Sequence, residues 1–247
     1  MSIRVRSRLL AGSRAGRRTV PVAVALLLPV LALTAGCGGG GKGPKTVPAS
    51  GAVPAAKLTL ALLTPSDVPH LQVLPSGTKN QLLGGPSKPD HPDCQPIADQ
   101  WATRPKHPRQ VYAGALLTDT ADKDKKAKAI SLEVIASYKK GEAKAVLDEL
   151  STALRTCRGY KVTRSGVIST FVVRPVTPAG PPLGDQQVTY TIGDTASGAA
   201  GTVLVTVVRS GDATAAFETV RADHKPATLR RAIPLKQVAK LEAAERG

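Results

Sequence analysis

Residues 202–220 read TVLVTVVRSGDATAAFETV, two apolar runs split by Ser210-Gly211-Asp212. A Gly-Asp turn signal between β-branched runs predicts a hairpin, Thr202–Arg209 paired with Ala213–Val220. The same pattern extends upstream. Val167–Val176 and Gln187–Ile192 are apolar runs of strand length, separated by the Pro- and Gly-rich segment Pro178–Gly184. From Lys161 onward the chain therefore reads as an antiparallel meander. A last helix, Leu235–Glu245, with Leu235, Val238, Ala239 and Leu241 toward one side, is expected to close the domain.

Before the meander stands the clearest helix of the chain, from about Glu142 to Arg158. Ala143, Val146, Leu147, Leu150, Leu154 and Cys157 make one apolar stripe, and Gly159 is the expected stop. Further upstream, Gln110–Thr118 and Ile130–Tyr138 read as strands bracketing the charged turn Asp119–Lys128, a second hairpin. In the second of these strands the alternation of Ile130, Leu132, Val134 and Ala136 is broken at Ile135. Asp93 is placed to cap a helix carrying Cys94, Ile97 and Trp101 on one face. Residues 76–92 have the composition of an exposed loop. Thr64-Pro65-Ser66-Asp67 reads as the start of a short helix that Pro69 interrupts. The expected fold class is α+β, one domain over residues 56–247, an antiparallel sheet with helices packed on one face. With seven aromatics in 247 residues, the core must come mainly from Val, Leu, Ile and Ala.

The N-terminal segment is an address and takes no part in that fold. An arginine-rich start, the apolar stretch Val20–Leu33 and then Leu33-Thr34-Ala35-Gly36-Cys37 follow the order of a secretory signal. An apolar stretch of about 14 residues, with Pro21 and Pro29 inside it, is shorter than the ~20 a spanning helix needs. The small residues before Cys37 resemble a bacterial lipobox, with Thr34 where leucine is commonest. That resemblance implies residues 1–36 as a lipoprotein signal peptide, cleavage before Cys37, and acyl chains on its sulfur holding the protein on the extracytoplasmic face of the cell membrane. Residues 37–55, GGGGKGPKTVPASGAVP and its flanks, have the composition of a flexible tether.

Once Cys37 is lipidated, Cys94 and Cys157 remain, an even pair in a compartment where disulfides persist. Both fall on apolar helix stripes, and a Cys94–Cys157 disulfide is expected; buried free thiols are the alternative. The formal charge of +16 drops to about +10 when the six arginines of residues 1–36 are removed, leaving 28 basic against 18 acidic residues. No nucleic-acid motif or stacking platform accompanies that excess. An anionic lipid surface or acidic wall polymer is the expected counter-surface, beside the ordinary role of a charged surface in solubility.

Catalytic and metal motifs are sparse. His70, His91, His107 and His224 show no metal-ligand spacing and read as surface residues. Cys94 and Cys157 lack the paired spacing of a zinc site, and no nucleophile elbow, P-loop or dinucleotide glycine pattern occurs. No cofactor is expected. Asp185, Asp194 and Asp212, each beside a glycine, are the carboxylates an enzyme reading would recruit, against the ordinary case of loop aspartates bonded to their own backbone. Trp101 is expected in the core first and as a stacking surface second.

Several segments together resemble actinobacterial lipoproteins related to the extracytoplasmic sensor domain of PknH-type serine/threonine kinases. They are Leu62-Leu63-Thr64-Pro65-Ser66-Asp67-Val68-Pro69, Asp93-Cys94, Leu154-Arg155-Thr156-Cys157, the Gly-Asp turn before a strand, and Val207-Val208-Arg209-Ser210-Gly211-Asp212. The resemblance covers residues 58 to about 245. It implies a single α+β domain with a groove for an unidentified ligand, and two disulfides where this chain can form one. The expectation is a non-enzymatic, membrane-anchored binding or sensing lipoprotein with an unknown small ligand or protein partner. The alternatives are a cell-wall hydrolase or other secreted enzyme, and a lipoprotein that binds a protein partner.

Overall fold

The computed structural model describes residues 51–76 and 82–246, which belong to one compact unit. The signal segment, Cys37 and most of the tether lie outside the described residues. Eight strands form one antiparallel sheet: β1 (Leu71–Pro75), β2 (Val111–Asp119), β3 (Ala129–Ser137), β4 (Gly159–Arg164), β5 (Val167–Pro175), β6 (Gln186–Asp194), β7 (Thr202–Ser210) and β8 (Ala213–Arg221). Their order is β1-β2-β3-β8-β7-β6-β5-β4. The expected hairpins and the meander are all present. What joins them is the pairing of Ala129–Ser137 on β3 with Ala213–Arg221 on β8, a seam between segments some 80 residues apart.

Four α-helices accompany the sheet: α1 (Ala55–Leu60), α2 (Gln95–Ala98), α3 (Glu142–Thr156) and α4 (Ala232–Arg246), with short 3-10 turns at Pro92–Cys94 and Asp99–Trp101. They cover both faces of the sheet, not the single face expected. Ala213, Ala215 and Phe217 of β8 pack with Leu58, Ile135, Ile233 and Leu241 beneath α1 and α4. Ala216, one step out of phase, packs on the opposite face with Val205, Val207, Ile97, Leu147 and Leu150 beneath α2 and α3. The break in alternation at Ile135 has the same cause, because a strand buried on both faces reads as a continuous apolar run. By extent the domain is mostly sheet, and the α+β description holds only loosely.

Other local expectations shift. The helix α3 carries its apolar stripe inward as expected, but it ends with Cys157 in extended conformation. Gly159 is no helix stop; it opens β4, where an added Cβ would lie 2.4 Å from the Phe171 carbonyl oxygen, so only glycine allows that approach. On α4 the buried line is Ile233, Gln237 and Leu241, while Leu235 is 52% exposed. Within residues 76–92, Leu82 and Leu83 are buried, so that segment is no simple exposed loop. The domain also begins earlier than residue 56. Val53 is buried, and its N–H donates to Ser137 Oγ at 2.6 Å.

Thr64–Asp67 forms a turn and no helix. The Asp67 carboxylate accepts from the Thr64 N–H and hydroxyl, each at 2.8 Å, and pairs with Lys240 Nζ at 2.7 Å, tying α4 to the turn. Burial would raise its pKa, but the bonds from Lys240 and Thr64 outweigh that and hold it at about 2. Asp67→Ala should lower stability by about 1–3 kcal/mol at neutral pH. Because the folded-state pKa is depressed, this contribution is present above 3.8 and is lost as pH falls toward 2. Urea melts at neutral pH and near pH 2 measure both: the two proteins should differ clearly in the first and converge in the second.

Candidate functional site

The meander lays one row of side chains after another on the α2 face. Tyr160 and Val162 of β4, Phe171 of β5, Tyr190 and Ile192 of β6, Val203 of β7 and Glu218 of β8 form the floor of a cleft of about 320 Å³. Its roof is the segment from Gly84 through α2 to Trp101. That volume lies within the range of small-ligand pockets. Trp101, Tyr160, Phe171 and Tyr190 are four of the chain's seven aromatics, and all line this one cleft. The Tyr160 and Phe171 rings, cross-strand neighbours, lie 5.2 Å apart.

The roof is strapped down at several points. Gly84 N–H donates to the Trp101 carbonyl at 2.7 Å, and Thr103 N–H returns a bond to the Gly84 carbonyl. Asp90 exchanges bonds with Lys161 on the edge strand β4, and Arg164 Nη2 donates to the Gly85 carbonyl at 3.2 Å. Arg109 donates to the carbonyls of Ala102 and Gln100. Behind the roof, Cys94 and Cys157 are joined by a disulfide, Cα–Cα 5.4 Å, which fastens the roof to the end of α3.

Among the described residues, one polar group of the cleft and one buried in its wall have no partner. Trp101 is partly buried, but its indole N–H is fully buried and makes no hydrogen bond. Glu218 is partly buried in a strand whose neighbours are apolar, and burial alone pushes its pKa up to about 7. Burial likewise pushes the Tyr160 phenol to about 12 and Tyr190 well above its ordinary value, with the Glu218 charge adding to both.

Of the three aspartates singled out by sequence, Asp185 and Asp212 come together at one end of the sheet and Asp194 stands apart. Asp185 accepts from Gly211 N–H at 2.8 Å and pairs with Arg209, and Asp212 accepts from Gly141 N–H at 2.7 Å, both at the β7–β8 turn beside Glu245. Asp194 lies at the other end of β6, about 30 Å away by strand rise, and accepts from Ala196 N–H. Asp194 does line the same cleft as Glu218. Glu218 sits across β7 from Tyr190, because both pair with Val205, and Asp194 lies four residues further along β6. Strand geometry then separates the two by about 16 Å at Cα. Carboxylates that cooperate on a glycosidic bond stand roughly 5–9.5 Å apart.

The histidines are dispersed, and His107 is not the free surface residue expected. It is clamped between two glutamates of α3, Nδ1 to Glu142 at 2.5 Å and Nε2 to Glu149 at 3.2 Å. Burial opposes its charge, but the carboxylates prevail and raise its pKa. Among the described residues no group of three or more His, Cys, Asp or Glu is placed to hold a metal ion. No helix of the described residues is long and apolar enough to cross a membrane. Glu218 and the roof were missed by sequence reading: an acidic residue in TAAFETV looks like an outward strand position, and the roof that covers it lies more than 110 residues away.

The sequence matches no protein-family model and no curated protein. Among solved structures, an uncharacterised protein from Mycobacterium smegmatis aligns at 18% identity over 79% of this chain and 98% of that one, with a TM-score of 0.33, too distant to carry an argument. The extracellular domain of PknH from Mycobacterium tuberculosis aligns at 12% identity over 79% of this chain and 97% of that one, with a TM-score of 0.50. The chain resembles that PknH domain in fold, with few residues in common.

Proposed function

We propose that this chain is a membrane-anchored extracytoplasmic lipoprotein whose domain acts as a non-catalytic ligand-binding or sensing module. The lipobox-like segment ending at Cys37 supports the anchor, and the Cys94–Cys157 disulfide suits an oxidising compartment. The likeness in fold to an extracellular domain points the same way. The observation that carries the binding role is the cleft: a space of ligand size lined by four aromatic side chains, whose two lining carboxylates, Asp194 and Glu218, stand about 16 Å apart at Cα by strand geometry.

Trp101 is the chain's single tryptophan, so its emission reports on the cleft directly. Titration with small-molecule fractions from the cell envelope of the native host should give a saturable change in Trp101 emission. Val203→Phe, which fills the floor, should abolish it while leaving the melting curve within a few degrees of wild type. A response that survives Val203→Phe, or turnover of any fraction by the wild type, contradicts the proposal.

A further inference from the structure

We infer that the cleft, read as a ligand site, takes an organic cation: an amine or quaternary ammonium on an apolar body, with Glu218 as its counter-ion. Two observations bear on this. Glu218 faces the cleft without an ion-pair partner among the described residues, and no cationic side chain offsets its burial. The two other charged residues lining the cleft are Arg164 and Asp194. Arg164 acts on Tyr160 and is held on the Gly85 carbonyl, and Asp194 serves its own loop. Neither compensates Glu218.

The surroundings of that carboxyl are aromatic. Tyr190 lies two strands away on the same cross-strand row, and the Glu218 charge registers on the Tyr160 and Tyr190 phenols. A carboxylate beside aromatic rings in a partly dry cleft favours a cation that is poorly hydrated, because ring faces and carboxylate attract it together. A neutral ligand would leave the carboxylate uncompensated. An anion would be repelled by it.

The test uses two matched pairs on the disulfide-bonded domain: choline against its neutral carbon isostere dimethylbutanol, and phenethylamine against phenylethanol. Trp101 emission and calorimetry are read at about pH 8. In the wild type each cation should bind at least about tenfold tighter than its neutral partner, and in Glu218→Gln that ratio should fall to near one with binding of the alcohols unchanged. Without any substitution, binding of the cations should weaken as pH falls from about 8 to about 6 while that of the alcohols stays flat. Equal binding of cation and alcohol by the wild type overturns the cation assignment and leaves the cleft as a ligand site. A preference for the cations that Glu218→Gln retains overturns the role of Glu218. No response of Trp101 to any of the four overturns both the assignment and the reading on which it rests.

Discussion

The double substitution Cys94→Ala/Cys157→Ala is expected to lower stability by about 4 kcal/mol, the chain-entropy value for a closed loop of this length. The sequence separation of 63 residues spans β2, β3 and all of α3, so the bond restricts a large part of the unfolded chain. For a domain of this size the loss corresponds to a fall in melting temperature on the order of 10 °C. A second effect should accompany the first. Cys94 lies in the middle of the roof segment and Cys157 caps the end of α3, so breaking the bond frees the roof from that helix and should shift Trp101 emission to the red. Thermal melts followed by circular dichroism and by tryptophan emission measure both. A loss under about 1 kcal/mol with unchanged emission would mean that the hydrogen bonds to Lys161, Gly84 and Arg109 hold the roof without the disulfide.

The second large effect concerns Glu133 on the opposite face of the sheet. Its carboxyl is fully buried between Ala115 and Phe217 on the neighbouring strands, and neither oxygen has a hydrogen-bond partner among the described residues. Burial pushes its pKa up to about 8, with Lys240 pulling it down and Asp67 pushing it up. A carboxyl whose folded-state pKa is raised is protonated in the folded chain while the unfolded chain has already ionised. The folded state therefore binds more protons between 4.5 and about 8, and stability falls as pH rises through that window. The penalty at its upper end is on the order of 5 kcal/mol. Glu133→Leu should remove it. Urea melts across this range should show the variant gaining on the wild type steadily from pH 4.5 to 8, with the difference level beyond. Because Glu218 and His107 remain in both proteins, the difference between them isolates Glu133. A constant difference across the range contradicts the account of this buried carboxyl.

The elements legible in the sequence were those with strong local patterns. The β7–β8 hairpin shows its turn residues, and α3 shows an unbroken apolar stripe from Ala143 to Leu154 that the structure buries. The two edge strands carry weaker marks. β1, Leu71–Pro75, is short, ends in proline and alternates poorly, and β4 is a six-residue segment pressed against the end of α3. On α4 apolar spacing gave the inward face only in part: Val238 and Leu241 are buried as expected, but Leu235 and Ala239 are exposed and the central buried position is Gln237, which spends its amide N–H on the Ala61 carbonyl. The cleft was less legible than the fold, since it exists only where the roof around Trp101 meets strands 60 to 115 residues further on. Trp101 was expected in the core first, and it stands at the boundary between core and cleft.

Everything proposed for the cleft presumes a domain exported and held outside the membrane, and intact-mass analysis of the protein extracted from membranes of its native host tests that most directly. The account predicts a chain lacking residues 1–36, carrying a diacylglyceryl group on Cys37, with Cys94 and Cys157 alkylated only after reduction. An unmodified Cys37 on a chain that retains residues 1–36, or two thiols that react without reductant, would contradict it.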